Sequence, residues 1–408
     1  MNLFPLSRAR LGLFLIIVIA TLFLTACVDT TPSWPGLAAN AQLAYVAFQQ
    51  QVHAVDLSNG KPVWDFPAKA DGNIGAFYAS PVVGENILIV ASEGPTGSTS
   101  GMLFGLDPAN PGDKGEWRWC LVFDAKGSKR QQGQKWNCQL APGAEDDGLL
   151  GFAAPSDGLD NRLIGGIALA DGTAYFGMAS GRVYAVDIAT GAVTAHYAEI
   201  TQAVWATPLV SDDTVYVTSL DHFVYALNRA NLTLKWKQDL GASSAGTPVL
   251  AEGRLYIGSF NNKLHALDAA TGDEKWVFDT HNWVWGGPVV QDGVLYFTDL
   301  SGTVFALDAQ TRAQKWAVTP GGVIRASPTV TSDTLYVSDG DGKLYALNLS
   351  DGSVRWSQPQ TAAGKPGQLL AAPLVVNDLV LVTPYQGDNL LVAYTTTGEF
   401  KWPFAPSK

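Results

Sequence analysis

The chain has 408 residues, 47% of them hydrophobic and only 15% charged, which excludes a disordered polyelectrolyte. Its 42 Gly, 22 Pro, 13 Trp, 13 Tyr and 17 Phe exclude a helix bundle and call for many short strands joined by tight turns. Lys and Arg total 26 against 37 Asp and Glu, a net charge of −11 that repels phosphate backbones and anionic lipid headgroups, so nucleic acid is not expected as a partner.

Residues 1–26 read as a signal peptide: Arg8 and Arg10 precede an apolar run from Leu11 to Leu24 that has the length of a signal h-region. The run ends in Leu24-Thr25-Ala26-Cys27, which resembles the bacterial lipobox, where cleavage precedes a cysteine that becomes lipidated. Cys27 is therefore the expected lipid anchor, residues 27–33 a tether, and the chain extracytoplasmic on the cell membrane or the outer membrane. A plain signal peptide with an incidental Cys27 is the alternative. Val28 lacks the aspartate that retains lipoproteins at the inner membrane of hosts that have two. Cleavage removes Arg8 and Arg10 and no acid, taking the net charge from −11 to −13.

From Trp34 onward the sequence repeats itself. Val183-Tyr184-Ala185-Val186-Asp187, Val224-Tyr225-Ala226-Leu227-Asn228, Leu264-His265-Ala266-Leu267-Asp268, Val304-Phe305-Ala306-Leu307-Asp308 and Leu344-Tyr345-Ala346-Leu347-Asn348 recur at intervals of about 40 residues. Weaker copies at Val52–Asp56, Leu103–Asp107 and Leu390–Tyr394 bring the number of units to eight. Within one unit, Thr247–Leu250, Leu255–Gly258, Lys263–Asp268 and Glu274–Phe278 read as four strands separated by turn residues such as Glu252-Gly253 and Thr271-Gly272. A four-stranded unit of this size cannot bury both faces alone, so the copies are expected to stack into an all-β, eight-bladed β-propeller over residues 34–408. Trp34-Pro35-Gly36-Leu37 reads as a worn first strand of blade one; the alternative is a strand lent by the C-terminus.

Residues 120–163 interrupt the period between blades 2 and 3 and hold the other two cysteines, Cys120 and Cys138. In an exported chain a disulfide is expected, closing a loop worth about 3 kcal/mol in the chain-entropy model, with a metal pair as the alternative. The insertion is a solvated excursion or a partner contact.

Ala266-Leu267-Asp268-Ala269-Ala270-Thr271-Gly272-Asp273-Glu274-Lys275-Trp276 resembles the tryptophan-docking motif of the PQQ-like, quinoprotein-type propellers, in which each Trp packs against the neighbouring blade. Trp64, Trp236, Trp276, Trp316, Trp356 and Trp402 fall eight residues after the acid position, and Trp119 follows a four-residue insertion. Ala195 occupies the slot in blade three, so that seam is expected to be the weakest, filled by His196 or Tyr197. The family includes quinone-dependent dehydrogenases, whose cofactor lies between a Trp and a disulfide of adjacent cysteines, over a calcium held by Glu, Asn and Asp, with an Asp as base. No adjacent cysteine pair is present, and no Gly-x-Ser-x-Gly, His-Glu-x-x-His or P-loop occurs. The five histidines show no metal-ligand spacing: His53 and His265 take an aromatic slot, His222 and His281 fall in turns, and His196 adjoins the missing Trp.

No catalytic residue, cofactor or metal is therefore expected. The resemblance extends to the non-catalytic, BamB-like lipoprotein branch, which implies a scaffold with a protein or peptide partner, tied to the membrane at Cys27. A quinone-binding dehydrogenase with a divergent site is the alternative. Three residues before the first-strand prolines stand Tyr78, Trp205, Ala245, Trp285, Arg325 and Leu370, with Ile164 in the corresponding place in blade three; Tyr78, Trp205, Trp285 and Arg325 are the candidates among them. With Asp299, Asp339 and Asp341 from neighbouring turns they are expected to ring the channel mouth, as a binding site or as packing residues of the inner ring.

Overall fold

Inner strands in which nearly every side chain is apolar need cover on both faces, and the sheets supply it for one another. In blade five, Arg254–Ser259 and Lys263–Asp268 are buried almost throughout, whereas the outer strand Glu274–Asp279 is largely open to solvent. The computed structural model describes residues 35–94, 100–111, 117–123, 138–140, 161–359 and 364–406. The expected signal peptide and Cys27 lie outside them, as does most of the 120–163 insertion. Among the described residues of Trp34–Lys408 seven antiparallel sheets have four strands each, the sheet of blade two has five, and Gln368–Leu369 pairs with Pro384–Tyr385 in a separate two-stranded ribbon beside blade eight. This is an eight-bladed β-propeller. The first strands of neighbouring blades touch one another around the centre.

Blade one takes all four strands from its own sequence, Gly36–Ala39, Leu43–Phe48, Gln51–Asp56 and Pro62–Phe66. The ring closes by packing: Ala44, Val46 and Val55 of blade one share a core with Leu381, Leu391 and Trp402 of blade eight. Blade two differs. Its outer strand Trp119–Phe123 is wholly buried and carries a fifth strand, Gln139–Leu140, which runs parallel to it. Cys120 and Cys138 are joined in a disulfide that holds the two strands together.

The repeated motif has a physical reason at each position. The acid organises the turn between strands three and four: Asp308 accepts from the Thr311 amide (2.8 Å) and hydroxyl (2.8 Å), and these bonds hold its pKa below the usual carboxylate value. The alanine is small because the indole lies across it, as in the pairs Ala266 with Trp276 and Ala306 with Trp316. In blade two Gly105 takes its place, and a Cβ there would stand 2.4 Å from Trp119.

Each indole then reaches into the next blade. Trp316 donates to the Leu349 carbonyl (2.9 Å), Trp236 to Ala269 (3.2 Å), Trp356 to Thr396 (3.0 Å) and Trp119 to Ile188 (2.8 Å). Trp402 closes the ring on Leu57 at 3.1 Å. The ring lies on a glycine of the same turn: a Cβ on Gly352 would meet Trp316 at 2.7 Å, and one on Gly272 would meet Trp236 at 2.6 Å. Both glycines are left-handed (φ +73° and +80°), so one residue type answers the backbone and the contact together. A tyrosine of the second strand shares the accepting carbonyl, as Tyr216 does with Trp236 on Ala269.

Three junctions depart from this arrangement. In the turn of blade two Pro111 stands in the glycine position, and Trp64 still donates to the Pro108 carbonyl at 3.2 Å. In blade three Ala195 replaces the Trp, and in the turn of blade four Leu232 (φ 55°) replaces the glycine. Leu232 is buried and packs in the cluster that Ala195 joins. Leu232 thus fills this seam from the other side, and Tyr197, one of the two residues expected to fill it, is buried in the same cluster. In the turn of blade six the glycine is replaced by Arg312 (φ 65°), opposite Trp276. Trp276 keeps its slot, yet its indole N–H has no hydrogen-bond partner. Arg312 donates to the Val277 carbonyl (2.8 Å), while the Ala309 carbonyl accepts from the Tyr256 hydroxyl (2.9 Å) and Arg254 (3.4 Å).

Leu232 and Ala195 should therefore be coupled. Leu232→Gly leaves a cavity costing about 2–5 kcal/mol, and Ala195→Trp alone overpacks the seam by about 1–3 kcal/mol. The double variant restores the standard pair, and denaturant unfolding should show a favourable coupling of about 0.5–3 kcal/mol. Additive losses would show that the two positions do not share a junction.

Candidate functional site

The mouth is built by the turns joining strands two and three and by the segments leading into the first strands. Within blades, Leu220, Phe260, Leu300 and Gly340 amides donate to Ala203, Ser243, Trp283 and Val323 carbonyls (2.8–3.0 Å). Between blades, Val204, Ser244, Val284 and Leu369 amides donate to Met178, Ser219, Ser259 and Asp339 carbonyls (3.1–3.2 Å). The two sets alternate into a belt that fixes the backbone of this face and leaves its side chains to vary.

On that belt an aromatic stack forms at blades five and six. Phe260 lies 4.9 Å from Trp283 (13° between planes) and 4.9 Å from Trp285 (24°). Trp283 is 42% exposed and Trp205, in blade four, 37%. Of the residues expected at the mouth, Trp285 enters this stack. Trp205, Arg325 and Tyr78 occupy the equivalent position of blades four, seven and two, the last two half-buried. Phe260 and Trp283 escaped the sequence reading because they stand at other offsets, in the turn and five residues before the strand-one proline.

The acids behave differently. Asp339 is buried and accepts from the amides of Gly322, Asp341 and Lys343 and from the Tyr345 hydroxyl. Asp299 is buried and accepts from the Ser301, Thr303 and His281 amides and the Ser301 hydroxyl. Both carboxylates are spent on tying their turns to the segments leading into the first strands; Asp341 alone of the three is exposed. Burial, and then the facing carboxylate, pushes the Tyr345 hydroxyl well above its usual pKa, so it serves as a fixed donor. Asp221 does the same in blade four with the Tyr225 hydroxyl (2.8 Å).

The histidines hold one arrangement that residue spacing did not disclose. His265 Nε2 lies 3.0 Å from Ser259 Oγ, and Nδ1 lies 2.9 Å from the Glu274 carboxylate. The order serine, imidazole, carboxylate is that of a nucleophile relay, but Ser259 is fully buried and offers no path to a substrate. His53 pairs with Asp65 at 2.7 Å. Among the described residues no group of three or more His, Cys, Asp or Glu is placed to hold a metal ion. The disulfide spans 18 residues at the rim of blade two. These residues do not fit a quinone seated on adjacent cysteines over calcium.

The sequence profile described as outer membrane protein assembly factor BamB matches the chain over residues 29–197, 128–245 and 224–407. The crystal structure of BamB from Moraxella catarrhalis superimposes with a TM-score of 0.64 at 17% identity, covering 88% of this chain and 95% of that one. The computationally designed Ika8 protein superimposes with a TM-score of 0.64 at 12% identity, over 90% and 98%. At these identities the two likenesses establish the fold alone. No curated protein matches the chain.

Belt and platform should separate under mutation. Asp339→Ala strips four donors of their acceptor and should lower stability by about 2–4 kcal/mol, whereas Trp283→Ala should cost less than about 1.5 kcal/mol. Thermal unfolding of the two variants checks this. Equal losses would mean that the exposed ring is a structural part of the mouth.

Proposed function

This chain belongs to the family of the outer membrane protein assembly factor BamB, and we propose that it is a non-catalytic, lipid-anchored extracytoplasmic scaffold whose channel mouth holds a protein or peptide partner. The observation that carries this reading is the stack of Trp283, Phe260 and Trp285 on a hydrogen-bonded belt. Large aromatic rings held rigid in the unbound state bury area without much further loss of conformational freedom, which is how interface anchors act. The buried Ser259 and the turn-bound Asp299 and Asp339 are not free to act as nucleophile or base.

Anchoring is supported by the lipobox-like Leu24–Cys27, since two acyl chains on one cysteine suffice for stable membrane attachment. The partner class follows the family: components of outer-membrane protein assembly, in a host that has an outer membrane.

Two variants test the reading. Cys27→Ala should move the protein from the membrane pellet to the soluble fraction or leave it unprocessed, and unchanged fractionation would refute the anchor. Trp283→Ala combined with Trp285→Ala should weaken cross-linking to membrane-assembly proteins about thirtyfold or more, as loss of an aromatic hot spot does. Undiminished cross-linking would place the partner surface elsewhere.

A further inference from the structure

The residues three before the first-strand prolines start from equivalent points around the mouth. The amides just before them, of Val204, Ser244 and Val284, are each bonded to the preceding blade. The carbonyl just after Ala245, that of Gly246, accepts from the Thr218 hydroxyl at 3.1 Å, as the Ala326 carbonyl accepts from Thr298 at 3.3 Å. Successive entry segments touch: a Cβ on Gly165 would stand 2.9 Å from the Trp205 carbonyl oxygen, and one on Gly246 would stand 2.9 Å from the Gly286 backbone. Blades four, five and six therefore present Trp205, Ala245 and Trp285 in a row, with a single methyl group between two indoles.

The gap above that methyl is open. Ala245 is part-exposed, so the neighbouring rings do not close over it, and Trp205 is 37% exposed. Trp285 rests one face on Phe260, which holds the indole in place. Two steps between packed backbones, roughly 5 Å each as between neighbouring strands, set the two Trp backbones about 10 Å apart. A flat group held between two rings needs about 7–8 Å. Width and lining suit one planar side chain, and two π-faces favour a cation. Charge points the same way. Along the mouth from Glu199 to Trp285, the carboxylates of Glu199, Asp221, Asp239 and Asp279 outnumber Lys237 and Lys263. Lys237 lies over the Phe223 ring at 5.0 Å, Lys263 stands opposite Asp279, and Arg325 follows one blade beyond Trp285, outside the gap.

We propose that the gap over Ala245 receives an arginine side chain of the partner, its guanidinium lying flat between the Trp205 and Trp285 indoles. Arginine fits where lysine does not, because the planar guanidinium stacks on two faces at once. The proposal rests on the mouth being the partner surface and adds which side chain that surface reads.

The probes are arginine amide and citrulline amide, which has the same shape without the charge. In proton–nitrogen correlation spectra of the mature chain, Trp205→Phe and Trp285→Phe assign the two indole signals. Arginine amide should move the Nε1 signals of Trp205 and Trp285 together, and citrulline amide should need about tenfold more for the same shift. Ala245→Leu fills the gap and should weaken the response to arginine amide, and cross-linking to the partner, about tenfold or more. The fold accepts this side chain, since Leu370 stands at the same position in blade eight. Equal shifts with both amides, or undiminished shifts in Ala245→Leu, would overturn the proposal. So would unchanged cross-linking in Ala245→Leu where Trp283→Ala lowers it, a result that leaves the mouth as the partner surface. Undiminished cross-linking in both variants would remove the mouth reading and this proposal with it.

Discussion

The indole ring seated across a blade junction, on a glycine in most blades, is the contact on which the rest of this molecule depends. A propeller has no helix or knot to lock it; its blades stay in a ring because each buries a face against the next. A Trp buries about 150–250 Å², which at roughly 25 cal/mol per Å² is an upper estimate of about 4–6 kcal/mol per junction. The hydrogen bond from Nε1 to the carbonyl after the motif acid fixes the ring at one place on that face. Because Trp402 makes this same bond to Leu57 of blade one, ring closure needs no exchange of strands.

Where the sequence departs from the pattern, the junctions show what the contact requires. At Ala195 and Leu232 the volumes are exchanged between blades, and the seam remains closed. At Trp276 and Arg312 both sides are large, and the indole loses its partner. The left-handed turn is retained at Leu232 and Arg312 despite a Cβ, at about 1–2 kcal/mol each, because the turn bonds to Asn228 and Asp308 demand it.

The period, the Trp slots and the eight units were legible in the sequence because each is enforced once per blade by the same packing problem. The partner of each Trp was not, since the pairing of Ala195 with Leu232 spans two units and appears only when the blades are laid side by side. The mouth was partly legible. Trp285 could be placed by its offset from Pro288, but residue type alone does not tell a carboxylate that faces solvent from one that ties its own turn. Asp299 and Asp339 are of the second kind. Nor does spacing along the chain bring His265 to Ser259 and Glu274, which meet across two strand pairings. Function at this face combines a rigid belt, common to all blades, with side chains that differ from blade to blade; the aromatic stack is where that variation exposes apolar surface.

The most direct test of the docking account is the structure and unfolding midpoint of Arg312→Gly. A glycine at this left-handed position removes the strain of a Cβ and clears the seat, so Trp276 should settle with Nε1 bonded to the Ala309 carbonyl. Stability should rise by about 1 kcal/mol, even with loss of the exposed bond from Arg312 to the Val277 carbonyl. An indole that stays unpaired, with an unchanged or lowered midpoint, would show that the glycine does not govern how the blades are joined.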